Sequence, residues 1–333
     1  MQTYRSTITG AASYFPEKIV TNKDLEKTVD TSDEWIRTRT GIKQRHNVIA
    51  GKQSASDLAY EASKKLLKKT GTKAEDIDLV IFGTISADST FPASACRLIG
   101  KLGAKNAWGF DLSAACSGYL YSLTVADQFV QSGRYKKVLV VGVDVMSPLL
   151  DPDDRNTCII FGDGCGVTLV EPESVDSELG IIDHLCFVDP AGVDLLYMPA
   201  GGSIQPTSKE TVEQGLHYLK QDGRTVFKHA VNEMSRVSEE ILQRNDLKPS
   251  DIDVFIPHQA NIRIIESTQK KLGLSDEQVI INIDQRANTT AGTLPTCIDQ
   301  ALKQGRLKKG KLLLMTTFGA GFTAGSALVR WSY

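Results

Sequence analysis

The chain repeats itself. LLKKTGTKAEDIDLVIFG (residues 66–83) is echoed by ILQRNDLKPSDIDVFIPH (241–258): a helix end, a polar turn, then Asp-Ile-Asp leading into an apolar run. Asp76 and Asp251 set an offset of 175 residues. A second echo, QSGRYKKVLVV (131–141) against KQGRLKKGKLLLM (303–315), follows in the same order, with its Gly-Arg pair offset by 172 residues. Two echoes in one order at nearly one spacing predict a duplicated unit. The halves are expected to meet in the acidic, turn-rich stretch EPESVDSELG (171–180). That gives an N-terminal half over 1–174 and a C-terminal half over 175–333.

Within each half, short apolar runs alternate with helical patterns. Strands are predicted at 79–85, 107–111, 138–143 and 167–170, and again near 253–257, 279–283, 311–317 and 326–331. Helices are predicted at 54–70, 93–102 and 117–132, then near 223–244, 261–272 and 293–304. Strands apolar throughout, such as VLVVGV (138–143), suit sheets covered on both faces by helices. The fold class is therefore α/β, two similar halves stacked as helix, sheet, helix, sheet, helix. A chain of 333 residues, 41% of them apolar, can bury a core of that size.

A formal net charge of −2 argues against nucleic acid as a partner, since phosphate binding needs a dominant basic surface. The longest apolar runs are far too short to span a bilayer, and the first residues lack the apolar core of a signal peptide. The six cysteines (96, 116, 158, 165, 186 and 297) form no CxxC pair and no disulfide framework, as expected of reduced thiols in a cytoplasmic protein. No His pairs with His, Cys or carboxylate at ligand spacing, so no metal is expected.

Chemistry concentrates at one cysteine. In GFDLSAACSGYLYSL (109–123), Cys116 follows a strand and opens a helix. Unpaired N–H groups and the helix dipole there favour the thiolate and are expected to lower its pKa. Ala114, Ala115, Ser117 and Gly118 leave room for a substrate carbonyl. The alternative is a buried structural cysteine. Among five histidines, His258 stands at the mouth of a strand in DVFIPHQAN, where open α/β sheets gather ligand groups. His229, inside a helical stretch, reads as structural. Asn288, in DQRANTTAGT, follows segment 279–283 as Cys116 follows 107–111; on its own it would be a turn residue. Cys116, His258 and Asn288 make a workable set for acyl transfer: a thiolate to carry the acyl group, and two donors for a carbonyl oxygen that becomes negative. FGDGCG (161–166) and FGAGFTAGS (318–326) run into strands rather than opening helices, so they are not dinucleotide fingerprints. They read as tight turns lining a cavity, the second offering N–H groups to an oxyanion hole.

As an ordered set, DLSAACSGY, FGDG, PHQAN, ANTTAG and FGAGFTAGS closely resemble the β-ketoacyl-[acyl-carrier-protein] synthase III family of the thiolase-like superfamily, from TSDEWIRTRTGIKQRH (31–46) to the last strand. The resemblance implies a thiolase-like duplicated fold of five layers, a homodimer, and initiation of type II fatty acid synthesis without a cofactor. Cys116 would take the acyl group from acyl-CoA, with acetyl-CoA the expected primer. His258 and Asn288 would assist decarboxylation of malonyl-acyl carrier protein and stabilise the enolate. The family's coenzyme A contacts fall on Trp35 and Arg39, which would sandwich the adenine, and on Arg155, with Asn261 lining the pantetheine channel. Without the resemblance, Trp35 and Arg39 would read as surface packing. Phe91 matches a position that reaches across the dimer to cap the partner's acyl pocket. Arg263 and Lys270, seven residues apart on one helix face, and Lys228 are expected to dock the acidic carrier protein.

Two departures stand out. Ala287 replaces the Gly usual before the active-site Asn, and Ala324 replaces a Trp, leaving a gap for substrate or another side chain. Rival readings are a related condensing enzyme of secondary metabolism, a cysteine-dependent thioester hydrolase, and an acyl-binding scaffold. A biosynthetic thiolase fits less well, because its second reactive cysteine near the C-terminus has no counterpart here.

Overall fold

The computed structural model describes residues 4–333. Its strands are β1 (Arg5–Tyr14), the small pair β2 (Ile19–Thr21) and β3 (Gln44–His46), β4 (Leu79–Gly83), β5 (Trp108–Leu112), β6 (Val138–Asp144) and β7 (Gly164–Glu173). Then come β8 (Gly180–Val188), the short β9 (Leu196–Tyr197) and β10 (Lys220–Gln221), β11 (Val254–Pro257), β12 (Leu312–Gly319) and β13 (Thr323–Arg330). One sheet has the order β1-β7-β6-β4-β5 and the other β11-β12-β13-β8.

The period-2 alternation of the strands sorts their side chains into layers. Leu79, Ile81, Val138 and Val140 of the first sheet and Val254, Ile256, Leu313 and Met315 of the second enclose Leu120, Leu123, Leu294 and Ile298. These last four belong to the helices Gly118–Gln131 and Thr293–Lys303. The intervening residues face outward. Val80, Phe82, Leu139 and Val141 meet Leu58, Leu66 and Leu98 of the helices Ala55–Thr70 and Ser94–Leu102. Phe255 and Leu314 meet Ile241 and Ile265 of Gly223–Arg244 and Ile262–Leu272. Five layers result, as the sequence predicts, and the helices lie within a residue or two of their expected spans.

The Asp-Ile-Asp echo has a structural cause. Asp78 N–H donates to the Lys137 carbonyl, and its carboxylate accepts the Lys136 and Lys137 N–H groups at 2.7 and 2.9 Å. Asp253 treats Leu312 in the same way, its carboxylate accepting that N–H at 2.8 Å. Each aspartate pins the start of the strand beside its own.

Three expectations change. Segment 279–283 is not a strand: Val279 makes one parallel bridge to Phe255, and the chain turns into a helical turn at Ile283–Arg286. The side chain of Gln259 causes this. Its Oε1 accepts the Asn282 and Ile283 N–H groups at 3.0 and 3.3 Å, and its Nε2 donates to the Pro257 and Ile280 carbonyls at 2.8 and 3.1 Å. The glycine-rich segments contribute mostly to strands, because β7 begins at Gly164, and β12 and β13 take in Phe318–Gly319 and Thr323 onward. Finally, β1 and β8 are strands where the sequence reading expects none. No helix among the described residues is long and apolar enough to cross a membrane.

The middle helices start deep between the sheets, which demands small residues. A Cβ on Gly142 of β6 would stand 2.3 Å from the Ala291 carbonyl oxygen, at the start of Thr293–Lys303. Gly142→Ala should therefore cost about 1–3 kcal/mol through overpacking. Urea denaturation at neutral pH measures it, and unchanged stability would contradict this account of the helix start.

Candidate active site

Cys116 sits in a turn that the opposite half clamps. After β5 the chain makes a 3-10 turn at Ala115–Ser117, with Ala115 at φ +48°, and enters the helix Gly118–Gln131. Thr317 of β12 donates its hydroxyl to the Cys116 carbonyl at 3.1 Å. Thr323 Oγ1 of β13 lies 3.2 Å from the Ala114 carbonyl and 3.0 Å from Ser117 Oγ. Gly319 lies so close that a Cβ there would stand 2.8 Å from the Cys116 backbone nitrogen.

The same enclosure reverses one expectation. Burial, reinforced by the nearby Asp144 carboxylate, pushes the Cys116 thiol up to about 12. The helix start does not offset this, because the desolvation of a buried sulfur is the larger effect. Cys116 rests as a thiol.

His258 lies just past β11, its N–H donating to the Thr316 carbonyl at 2.8 Å. His258 is 1% exposed, and neither ring nitrogen has a hydrogen-bond partner among the described residues. Burial pushes its pKa down to about 3, so the imidazole is neutral, with one donor and one acceptor nitrogen. Asn288 makes an isolated parallel bridge with Phe161: its N–H donates to the Ile160 carbonyl and its carbonyl accepts the Gly162 N–H, both at 3.0 Å. Its Oδ1 accepts the Thr290 N–H at 2.8 Å, which leaves Nδ2 as the donor available to a ligand.

One cavity of about 100 Å³ is lined by Cys116, His258 and Asn288 together, with Asn261, Phe227 and Gly319. Cys116 also opens onto a second, mostly apolar space of about 430 Å³, walled by Ile85, Met146, Leu149, Leu196 and Leu219. Ile160, Gln221 and Gly223 belong both to the smaller cavity and to an outer one of about 420 Å³ that holds Trp35 and Arg39. At its rim the Arg39 and Arg155 guanidinium carbons stand 5.3 and 5.5 Å from the centre of the Trp35 ring. A flat aromatic group with attached phosphates could stack there. The route from rim to thiol is thus continuous in its lining residues. No group of three or more His, Cys, Asp or Glu side chains among the described residues is placed to hold a metal ion.

The sequence matches the model of 3-oxoacyl-[acyl-carrier-protein] synthase III over residues 110–189, and that of its C-terminal region over 242–331. A relative from Koribacter versatilis, named β-ketoacyl-[acyl-carrier-protein] synthase III, is 50% identical over 329 residues, covering 99% of this chain and 98% of its own. The chain belongs to the 3-oxoacyl-[acyl-carrier-protein] synthase III family. A Chlorobaculum tepidum synthase III is 48% identical, covering 98% of this chain and 99% of its own. The crystal structure of the Aquifex aeolicus synthase III superposes with a TM-score of 0.89 at 38% identity, covering 98% of this chain and all of that one.

The remaining expected residues of this synthase III chain fall into two groups. Asn261 lines the shared cavity and caps the helix Ile262–Leu272, its Oδ1 accepting the Arg263 N–H at 2.9 Å. Arg263 is exposed and does not itself line that cavity; its guanidinium carbon is 5.7 Å from the centre of the ring of Phe227, which does. Lys228 and Lys270 are exposed on the two neighbouring helices. Phe91 is 83% exposed and lines neither cavity beside Cys116. His229 stacks on Phe322 at 5.1 Å. Two residues escaped the sequence reading: Gln259, between His258 and its loop, and Asp144, the acid ending an otherwise apolar strand. Asp144 interrupts the apolar run VLVVGVDVM (138–146), which was the available signal; Gln259, in PHQAN, carried none of that kind.

Both departures from the family pattern are resolved. Ala324 packs among Phe318, Phe322 and Met234 and lines neither cavity, so protein side chains fill the space. Ala287 has φ +57° and ψ −162°, a conformation suited to glycine, and such strain costs on the order of 1–3 kcal/mol. Ala287→Gly should raise stability by about 1 kcal/mol net of the flexibility it adds to the unfolded chain. Denaturant titration measures the change; a loss of stability would show that this backbone is not strained.

Proposed function

We propose that this chain condenses an acyl-CoA primer with malonyl-acyl carrier protein to give a 3-oxoacyl-carrier protein, carrying the primer on Cys116. The observation that carries the reading is the shared buried cavity: a nucleophile, a neutral His258 with both nitrogens unpaired, and the Asn288 amide. Unpaired buried polar atoms are costly unless a ligand completes them. Family membership favours condensation over hydrolysis or inert binding.

In the first half-reaction Cys116 sulfur attacks the thioester carbonyl. The oxygen's negative charge falls near the N–H groups of Cys116 and Gly319, and coenzyme A departs, taking the proton the thiol gives up. In the second, malonyl-carrier protein loses carbon dioxide, and the electron pair of the broken C–C bond becomes an enolate. His258 and Asn288 donate to its oxygen. The enolate carbon then attacks the Cys116 acyl carbonyl, and the sulfur leaves as a thiolate that takes a proton from water to restore the thiol. No cofactor takes part, since coenzyme A enters as the substrate's carrier.

Trp35, Arg39 and Arg155 hold the nucleotide end, and Asn261 lines the pantetheine route. The apolar space beyond Cys116 receives the primer's chain, with acetyl the smallest occupant. Two copies pair along β5, whose outer edge is unpaired and whose Trp108 is 46% exposed. Phe91 of the partner subunit then caps the acyl space. Arg263, Lys228 and Lys270 dock the acidic carrier. The enzyme works in the cytoplasm, with residues 1–174 supplying the nucleophile and 175–333 the two donors.

Asn288→Ala should lower carbon dioxide release from malonyl-carrier protein by about 10²–10³-fold, the usual loss for one such donor, and leave Cys116 acylation within a few-fold of normal. Single-turnover measurement of each half-reaction decides it. Equal losses in both would contradict the division of roles.

A further inference from the structure

Asp144 is a fully buried acid that the chemistry above does not use. It ends β6, below the active-site floor, and no cation among the described residues pairs with it. Six donors surround its carboxylate instead. Oδ1 accepts the Thr84 hydroxyl at 2.9 Å, the Ile85 N–H at 2.8 Å, the Ser86 N–H at 3.1 Å and the Ser86 hydroxyl at 2.8 Å. Oδ2 accepts the Thr290 hydroxyl and, at 3.2 Å, the Ala291 N–H. One oxygen thus serves the loop after β4, and the other serves the Asn288 loop of the opposite half.

The second set matters for geometry. Thr290 has φ +49°, a conformation that a β-branched residue adopts only when its surroundings enforce it. From that conformation its N–H meets Asn288 Oδ1 and fixes which end of the amide remains free. Remove the anchor on Thr290, and the turn is free to relax to negative φ, carrying its N–H off the amide.

We propose that Asp144 is a positioning residue for decarboxylation, holding the strained Thr290 turn so that Asn288 presents Nδ2 to the reacting oxygen. The proposal rests on the role given above to Asn288.

Asp144→Asn keeps the shape but replaces one acceptor oxygen by a donor that faces other donors. Carbon dioxide release should fall by about 10–10²-fold, the scale of an ångström-sized misplacement, while acylation of Cys116 is retained. A merely structural role would lower both together. The decisive readout is the double variant: in Asp144→Asn/Asn288→Ala, decarboxylation should be no slower than in Asn288→Ala alone, because the two substitutions remove one interaction. Multiplied losses would overturn the proposal, as would an Asp144→Asn protein with normal decarboxylation. Should Asp144→Asn fail to fold, Thr290→Ala, which removes the hydroxyl and leaves the acid, must show the same half-reaction selectivity and the same non-additivity with Asn288→Ala. A lack of either overturns the proposal. If Asn288→Ala alone left decarboxylation intact, the reading of Asn288 would fall instead.

Discussion

Everything at the active site depends on the contact between the Cys116 turn and the β12–β13 turn of the other half. Thr317 and Thr323 hold carbonyls on either side of the cysteine, and only a glycine at 319 lets the two backbones approach so closely. The helix Gly118–Gln131 therefore starts where the second sheet ends. Duplication explains how such a seam arises. Each half brings strand ends and a helix start to the same level, and stacking them back to back makes one pocket from two sets of loops.

The seam also sets the electrostatics. Withdrawing water pushes the thiol up to about 12 and the imidazole down to about 3, so both groups rest uncharged. In the chemistry proposed above, the thiol must therefore lose its proton as it attacks the thioester carbonyl, which two N–H groups polarise. An uncharged His258 is also suited to its assigned part, since a neutral imidazole can donate to an enolate oxygen without delivering a full proton to it.

Much of this was legible in the residues. The Asp-Ile-Asp echo reported the repeat because each second aspartate pins the neighbouring strand. The small residues around Cys116 reported a crowded helix start. What stayed hidden depends on partners far away in sequence. β1 reads as polar because Ser6 and Ser13 are buried in it, satisfied by Asp127 and Asp299 from the middle helices. Segment 279–283 has strand composition, yet Gln259, some twenty residues earlier, takes the N–H groups that would have joined a ladder. The thiol's pKa was misjudged for the same reason, since a helix start lowers it only where solvent or a cation remains. The replacement of Gly by Ala287 was visible in the sequence, but the positive φ there only in the structure.

The account's central claim is that acyl groups pass through the sulfur at the seam. Mass analysis of the protein after brief exposure to acetyl-CoA, followed by peptide mapping, tests it most directly. The account predicts one acyl group per chain, on the peptide carrying Cys116 and removable by hydroxylamine as a thioester. An acyl group on Cys96 or Cys165, or turnover with no adduct on Cys116, would contradict it.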